Sequence, residues 1–201
     1  MNHTAIIVLA AGKASRFGSI KQLLRFNNTT LLDHSIDEAI KSGARPVIVV
    51  TGSHAEKIVT HITQEPAAIV YNGKWEEGIA SSIIAGVYHI VTALKTVQNI
   101  IITVSDQPFI NTSLFTQLIQ KQSNSQCGIV ACMYSNTMGT PVLFTQKYFS
   151  ALMGLQGDEG AKKIVIENSG DVSTIEFPQG SIDIDTVEDY QLLLDRQQHV
   201  L

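Results

Sequence analysis

The chain has 201 residues, 44% of them hydrophobic and 16% charged, with a net charge of −4 at neutral pH. That size suits a single domain over residues 1–201 with a sizeable core, and an acidic balance without a basic counter-patch speaks against nucleic acid as a partner. No apolar run approaches the roughly 18 residues of a membrane span, and Met1 to Thr4 lack the basic start of a signal peptide, so the expectation is a cytoplasmic protein with no membrane partner.

The predicted elements alternate. "TAIIVLA" (4 to 10) reads as a strand buried on both faces, being apolar throughout and rich in β-branched residues. "TTLLDHSIDEAIKSG" follows, a helix with Leu31, Leu32, Ser35, Ile36, Ala39 and Ile40 on one face, a Thr30 cap and a closing Gly43. The strands "PVIVVT" (46 to 51), "AIVYN" (68 to 72) and "NIIITV" (99 to 104) are separated by the helical segments "SHAEKIVTHI" and "SSIIAGVYHIVTAL". Beyond them come strands at 127–133 and 141–145, helical stretches at 146–153 and 159–167, a strand at 172–177 and a last helix from about 186. Cys127 and Cys132 fall in an apolar run, where buried reduced thiols are expected, and they receive no function. The alternation predicts an α/β fold, a mostly parallel central sheet between two helical layers.

In such sheets ligands bind beyond the carboxyl ends of the strands. The residues least suited to a core lie there: "AAGKASRFGSIK" after the first strand, "TGSH" after the second, "NGKWEEG" after the third and "SDQPF" after the fourth. The first loop is neither a Walker loop, since Gly12 and Gly18 have five residues between them and Gln22 follows Lys21, nor a G-x-G-x-x-G fingerprint. What remains is a small-residue turn, Ala10-Ala11-Gly12, that lets a base or phosphate approach the main chain. Arg16 can fork onto phosphate oxygens and Lys21 can act as a compact charge, although a glycine turn with solvated cations reads equally well from this loop by itself. The six histidines show no zinc spacing.

"LAAGKASRFGSIKQLL" resembles the signature of the MobA-like nucleotidyltransferases, and "NGKWEEGIASSIIAGV", "SDQPF", "GTPVLF", "GDEGAKKIV" and "IDIDTVEDY" continue the likeness in the family's order. The "LAAG" start, "DQP" and "GD-x-GA" are similar to the branch of molybdenum cofactor cytidylyltransferases, whereas the guanylyl branch more often shows "LAGG". The resemblance implies a three-layer Rossmann-like nucleotidyltransferase fold. It implies transfer of CMP from CTP to a molybdopterin-type cofactor with release of pyrophosphate, in the service of a xanthine dehydrogenase-type molybdoenzyme or its chaperone. It also places the nucleotide on Leu9, Ala10, Ala11, Gly12, Arg16, Lys21, Gly52, Asn72, Gly78, Ser82 and Asp106. The acceptor falls to Gln107, Pro108, Gly139, Pro141, Asp158, Gly160 and Ala161. Thr140 stands where the family often has His before Pro, a departure that bears on the acceptor contacts.

The chemistry asks for carboxylates. A phosphate nucleophile is already ionised, so charge neutralisation and alignment matter more than a base, and Mg²⁺ takes one or two protein carboxylates plus substrate oxygens. Asp106 suits that task, and Asp185 matches the family's second metal-binding Asp, with Asp183 two residues away. Arg16, Lys21 and Asp106 are then the catalytic set. Each carboxylate also has a competing structural job: Asp106 as cap of the helix that follows, and Asp185-Thr186 as entry to the last helix, with Glu188 and Asp189 in its first turn. Two other functions remain beside the cytidylyl reading: a transferase of the same fold that uses GTP or acts on a sugar or polyol phosphate, and a non-catalytic module that delivers nucleotide or cofactor.

Overall fold

A computed structural model of the protein describes residues 3–13, 20–66, 68–94 and 96–198. Strand β1 (Thr4–Ala10) is nowhere more than 7% exposed. Its alternation feeds both faces: Ala5, Ile7 and Leu9 enter one apolar cluster, while Ile6, Val8 and Ala10 enter the other. A two-residue hairpin, β2 (Arg25–Phe26) and β3 (Thr29–Thr30), leads into α1 (Leu31–Lys41). Thr30 caps α1 by accepting from Asp33 N at 3.0 Å, and Gly43 closes it at φ +80°.

Then come β4 (Val47–Thr51), α2 (Ala55–His61), β5 (Ala68–Tyr71), α3 (Ile79–Ala93) and β6 (Asn99–Val104). After β6 lies α4 (Thr112–Ser125), a helix to which the sequence-based reading gave no bounds. Its buried side is only Leu114, Phe115 and Leu118, too narrow a stripe to stand out among so many Gln, Ser and Thr residues. The chain continues through β7 (Ile129–Tyr134), β8 (Thr137–Thr145), α5 (Phe149–Met153), α6 (Lys162–Glu167), β9 (Val172–Glu176) and α7 (Val187–Gln198). Strand β8 starts four residues earlier than expected, because Ser135 and Asn136 both take positive φ and close a tight hairpin with β7.

The seven-stranded sheet has the order β5-β4-β1-β6-β8-β7-β9, and within it only β8 runs against the rest. Helices α3, α5 and α6 cover one face, and α1, α2 and α4 the other. Helix α7 closes a smaller cluster, packing Leu193 with Phe26, Leu31 and Ile184. Cys132 is buried in β7, where burial pushes its thiol up to about 12, while Cys127 is half-buried rather than buried. No helix among the described residues is long and apolar enough to cross a membrane.

Candidate active site

The turn after β1 is held by its carbonyl groups. Leu9 O accepts from Ser105 N at 3.2 Å and Ala11 O from Ser53 N at 3.0 Å. The buried Gln22 amide donates to Ala10 O at 3.3 Å and to Gly12 O at 3.1 Å. Four successive carbonyl oxygens therefore have partners within the protein, which keeps them from repelling an anion at the turn. A Cβ built on Gly12 would meet no atom of the described residues within 4 Å. Gly52 is the opposite case, since a Cβ there would lie 2.9 Å from the Ala11 methyl and 2.5 Å from Trp75 Cβ. Packing alone accounts for that glycine.

The loop after β5 is fastened from inside. Asn72, 5% exposed, donates to Ser81 Oγ at 2.8 Å and Ser82 Oγ at 3.0 Å and accepts from Lys74 N at 2.9 Å, so its side chain shapes the loop. Gly78 opens α3 at φ +104° with the Gly157 backbone pressed against it, a position that only glycine fills without strain. Gly157 O accepts from Ala80 N at 3.1 Å.

Leu9, Ala11, Gly12, Lys21, Gly78, Ser82 and Asp106 line one cavity of about 360 Å³, together with Gln22, Trp75, Glu76 and Ser105, which the sequence reading did not place on the nucleotide. Asp158 lines it as well, and so sits with the expected nucleotide residues rather than on a separate acceptor surface. Ala10, Gly52 and Asn72 support this wall from outside the lining. Arg16 lies outside the described residues.

The other positions expected to face the acceptor lie outside this cavity's lining. Gln107, 2% exposed, donates to Gly180 O at 2.9 Å and accepts from Thr140 Oγ1 at 3.3 Å. Gly139 lies under the Tyr134 hydroxyl, where any side chain would collide. Pro141 is buried in β8, and Pro108 lines a different groove with Phe26 and Leu192. Gly160 stands near Ile79, and Ala161 is buried against α3.

At the cavity's charged end, Lys21 Nζ lies 2.5 Å from Asp106 Oδ2 and 3.0 Å from Asp185 Oδ1. Burial pulls the Lys21 ammonium down, and the attraction of the two carboxylates outweighs it, so its pKa is raised. Asp183 is pushed up to about 6, by burial first and then by repulsion from Asp106. Neither metal candidate is a helix cap. Asn111 caps α4, accepting from Leu114 N at 3.0 Å. Thr186 and Asp189 cap α7 reciprocally: Thr186 Oγ1 accepts from Asp189 N at 3.2 Å and Asp189 Oδ2 from Thr186 N at 2.8 Å. The donor set fits a small divalent cation that takes two carboxylates and completes its shell with substrate oxygens. Among the described residues no group of three or more His, Cys, Asp or Glu side chains is placed to hold a metal by itself.

The family model of the MobA-like NTP transferase domain matches residues 6–172. The chain is 27% identical over 199 residues to nicotine blue oxidoreductase of Paenarthrobacter nicotinovorans, covering 94% of this chain and 95% of that one. It is 25% identical to the molybdenum cofactor cytidylyltransferase of Escherichia coli K12, covering 92% of each. The manganese complex of Rv0371c from Mycobacterium tuberculosis superposes with a TM-score of 0.78 at 25% identity, over 96% of this chain and 98% of that one.

Proposed function

From a chain that belongs to the MobA-like NTP transferase family, we propose a cytidylyltransferase that moves CMP from CTP to a molybdopterin-type cofactor. The observation that carries this reading is the meeting of Lys21, Asp106 and Asp185 at one end of a cavity that starts at the Ala11-Gly12 turn. In the reaction an acceptor phosphate oxygen bonds to the α-phosphorus, and the bond from that phosphorus to the bridging oxygen breaks. Pyrophosphate leaves with the electron pair. Mg²⁺ held by Asp106 and Asp185 would supply charge stabilisation to the reacting phosphates. Lys21, with Arg16, neutralises the triphosphate, and the carbonyl-pinned turn receives the nucleoside without reorganising. Gly52 and Asn72 fix the cavity wall, and Asp158 borders the nucleotide. The manganese in the mycobacterial neighbour and the activity named for the Escherichia coli relative support metal use and CTP.

The test is pyrophosphate release from each NTP with Mg²⁺, with and without molybdenum-loaded molybdopterin. The reading requires CTP to lead and the acceptor to be needed. Equal release from GTP would move the protein to the guanylyl reading. Release only with a sugar or polyol phosphate would change the acceptor. Because one relative is named an oxidoreductase, nicotinamide-cofactor oxidation is measured in parallel, and turnover there without pyrophosphate release would reject the transferase.

A further inference from the structure

Lys21 is held in a way that a phosphate-binding lysine does not require. Its ammonium is already engaged by the protein's own anions. It lies between two carboxylates, one from the middle of the chain and one from near its C-terminus, at 2.5 Å from Asp106 and 3.0 Å from Asp185, with its side chain 16% exposed. Both contacts are charge-assisted hydrogen bonds, the one to Asp106 partly buried and the one to Asp185 exposed. We propose that Lys21 is the protein's own counter-cation: its ammonium fills the seat between Asp106 and Asp185 and denies it to a free divalent metal until a triphosphate draws it away. This rests on the reading of those two carboxylates as the metal's.

The argument is one of charge and exchange. A free divalent ion approaching the pair meets a positive charge already seated there. To displace it, the ion must break both charge-assisted contacts, and the ammonium gains only water in their place. A metal–triphosphate complex changes the balance, because the triphosphate is a new anionic partner for Lys21 as the metal takes over the carboxylates. The asymmetry of the pair gives the exchange a direction: Asp106 is 20% exposed and Asp185 56%, so the seat opens on the Asp185 side. Lys21 thereby selects for the metal–nucleotide complex over the free metal, beyond its part in binding phosphate.

The test measures metal, not turnover. Metal-free wild-type protein and the neutral variants Lys21→Gln and Lys21→Met are titrated with Mn²⁺ without nucleotide, reading the free Mn²⁺ signal by electron paramagnetic resonance. The variants should bind Mn²⁺ about tenfold or more tightly than the wild type, the scale of a lost charge-assisted contact. Adding Asp106→Asn should cancel the gain. In the wild type, Mn²⁺ by itself should leave the melting temperature unchanged, while Mn²⁺ with CTP raises it. Folded variants that bind Mn²⁺ no more tightly overturn the proposal, as does a wild type stabilised equally by Mn²⁺ with and without CTP; this second comparison decides if neither variant folds. A wild type that Mn²⁺ with CTP does not stabilise and that releases no pyrophosphate overturns the function itself. One that passes both, with variants unaltered toward Mn²⁺, overturns only the counter-cation.

Discussion

Along β1, β4 and β6 every residue but Val104 is buried, whereas β9 is half-buried at four of its five residues and exposed at the last. These three strands are thus held by apolar contact on both faces, while the edge strand β5 is half exposed. The side made of β8, β7 and β9 buries the middle of β7 and β8 as well, but adds directed polar bonds where its strands begin and end. Asp171 is the chief of these, accepting from Gly128 N at 2.8 Å before β7, from Lys147 Nζ at 2.8 Å after β8, and from Tyr148 Oη at 2.7 Å. Gln107 and Tyr134 bind the opposite ends of the same strands. A scaffold held by apolar burial leaves the charges in its loops free of folding duty. A scaffold held by polar bonds does not.

Asp106→Asn should break that contrast most sharply if it is mistaken. On the apolar side it should lower turnover about 10²- to 10³-fold, as removal of a charge-stabilising group does, while moving the ligand-free melting temperature by only a few degrees. Near-normal pyrophosphate release at saturating Mg²⁺ would defeat the metal role. Lys21→Ala comes next. Loss of a charged contact worth roughly 1.5–3 kcal/mol should reduce kcat/KM about tenfold or more, again with little change in stability. A variant that melts early and turns over normally would make Lys21 a structural residue.

The third substitution sharpens the comparison from the polar side. Asp171→Asn should cost about 1–2 kcal/mol, since the carboxylate is partly exposed and its contacts are worth less than buried ones, and it should leave turnover per folded molecule intact. The Lys147 ammonium, with the Gly128 amide and the Tyr148 hydroxyl, holds the Asp171 carboxyl at about 2. A carboxyl depressed in the folded state stabilises it above the unfolded pKa near 4 and loses that contribution as pH falls toward 2. The difference in urea midpoint between wild type and variant should be full near about pH 6 and shrink below about pH 4. A constant gap would assign it to packing. The smallest effect belongs to Ala11→Gly. One methyl is worth about 1 kcal/mol in a pocket, and this one is buried against Gly52. If the Ala11 methyl, where the guanylyl branch more often has glycine, restricts a purine more than a pyrimidine, the advantage of CTP over GTP in raising the melting temperature should narrow, and an unchanged or widened gap would reject Ala11 as a base selector.

Strands β1, β4 and β6 were legible because burial on two faces leaves a continuous Ile and Val record, whereas β5 was legible from its short apolar run although Ile69 and Tyr71 are exposed. The hairpin turns were not. Asn27 and Asn28 stand at φ 45° and 66°, and Ser135 and Asn136 at 48° and 58°, without the glycine that announces such turns. In the site, Lys21, Asp106 and Asp185 could be picked out because each ends a recognisable stretch beside the same sheet edge. Gln22 could not: its importance lies in two carbonyls 10 and 12 residues behind it, a geometry with no local pattern. The same holds for Gln107, whose partners are Gly180 and Thr140. Asp158 was legible as part of a motif, but its place beside Gly78 depends on a loop that returns to the start of α3.

The strand order has a consequence for how this chain is made. By the time residue 104 has left the ribosome, β5, β4, β1 and β6 are all available and can assemble. Strand β7 emerges next, yet its place is not beside β6, because β8 must lie between them. A nascent chain ending between 129 and 136 therefore carries an apolar strand, Ile129–Tyr134, with no sheet edge to receive it, and β6 presents an open edge of its own. Such exposed edges are what chaperones cover and what aggregates share. The tight turn at Ser135 and Asn136 shortens that interval, since β8 can fold back on β7 as soon as it appears and the pair can then dock as a finished hairpin.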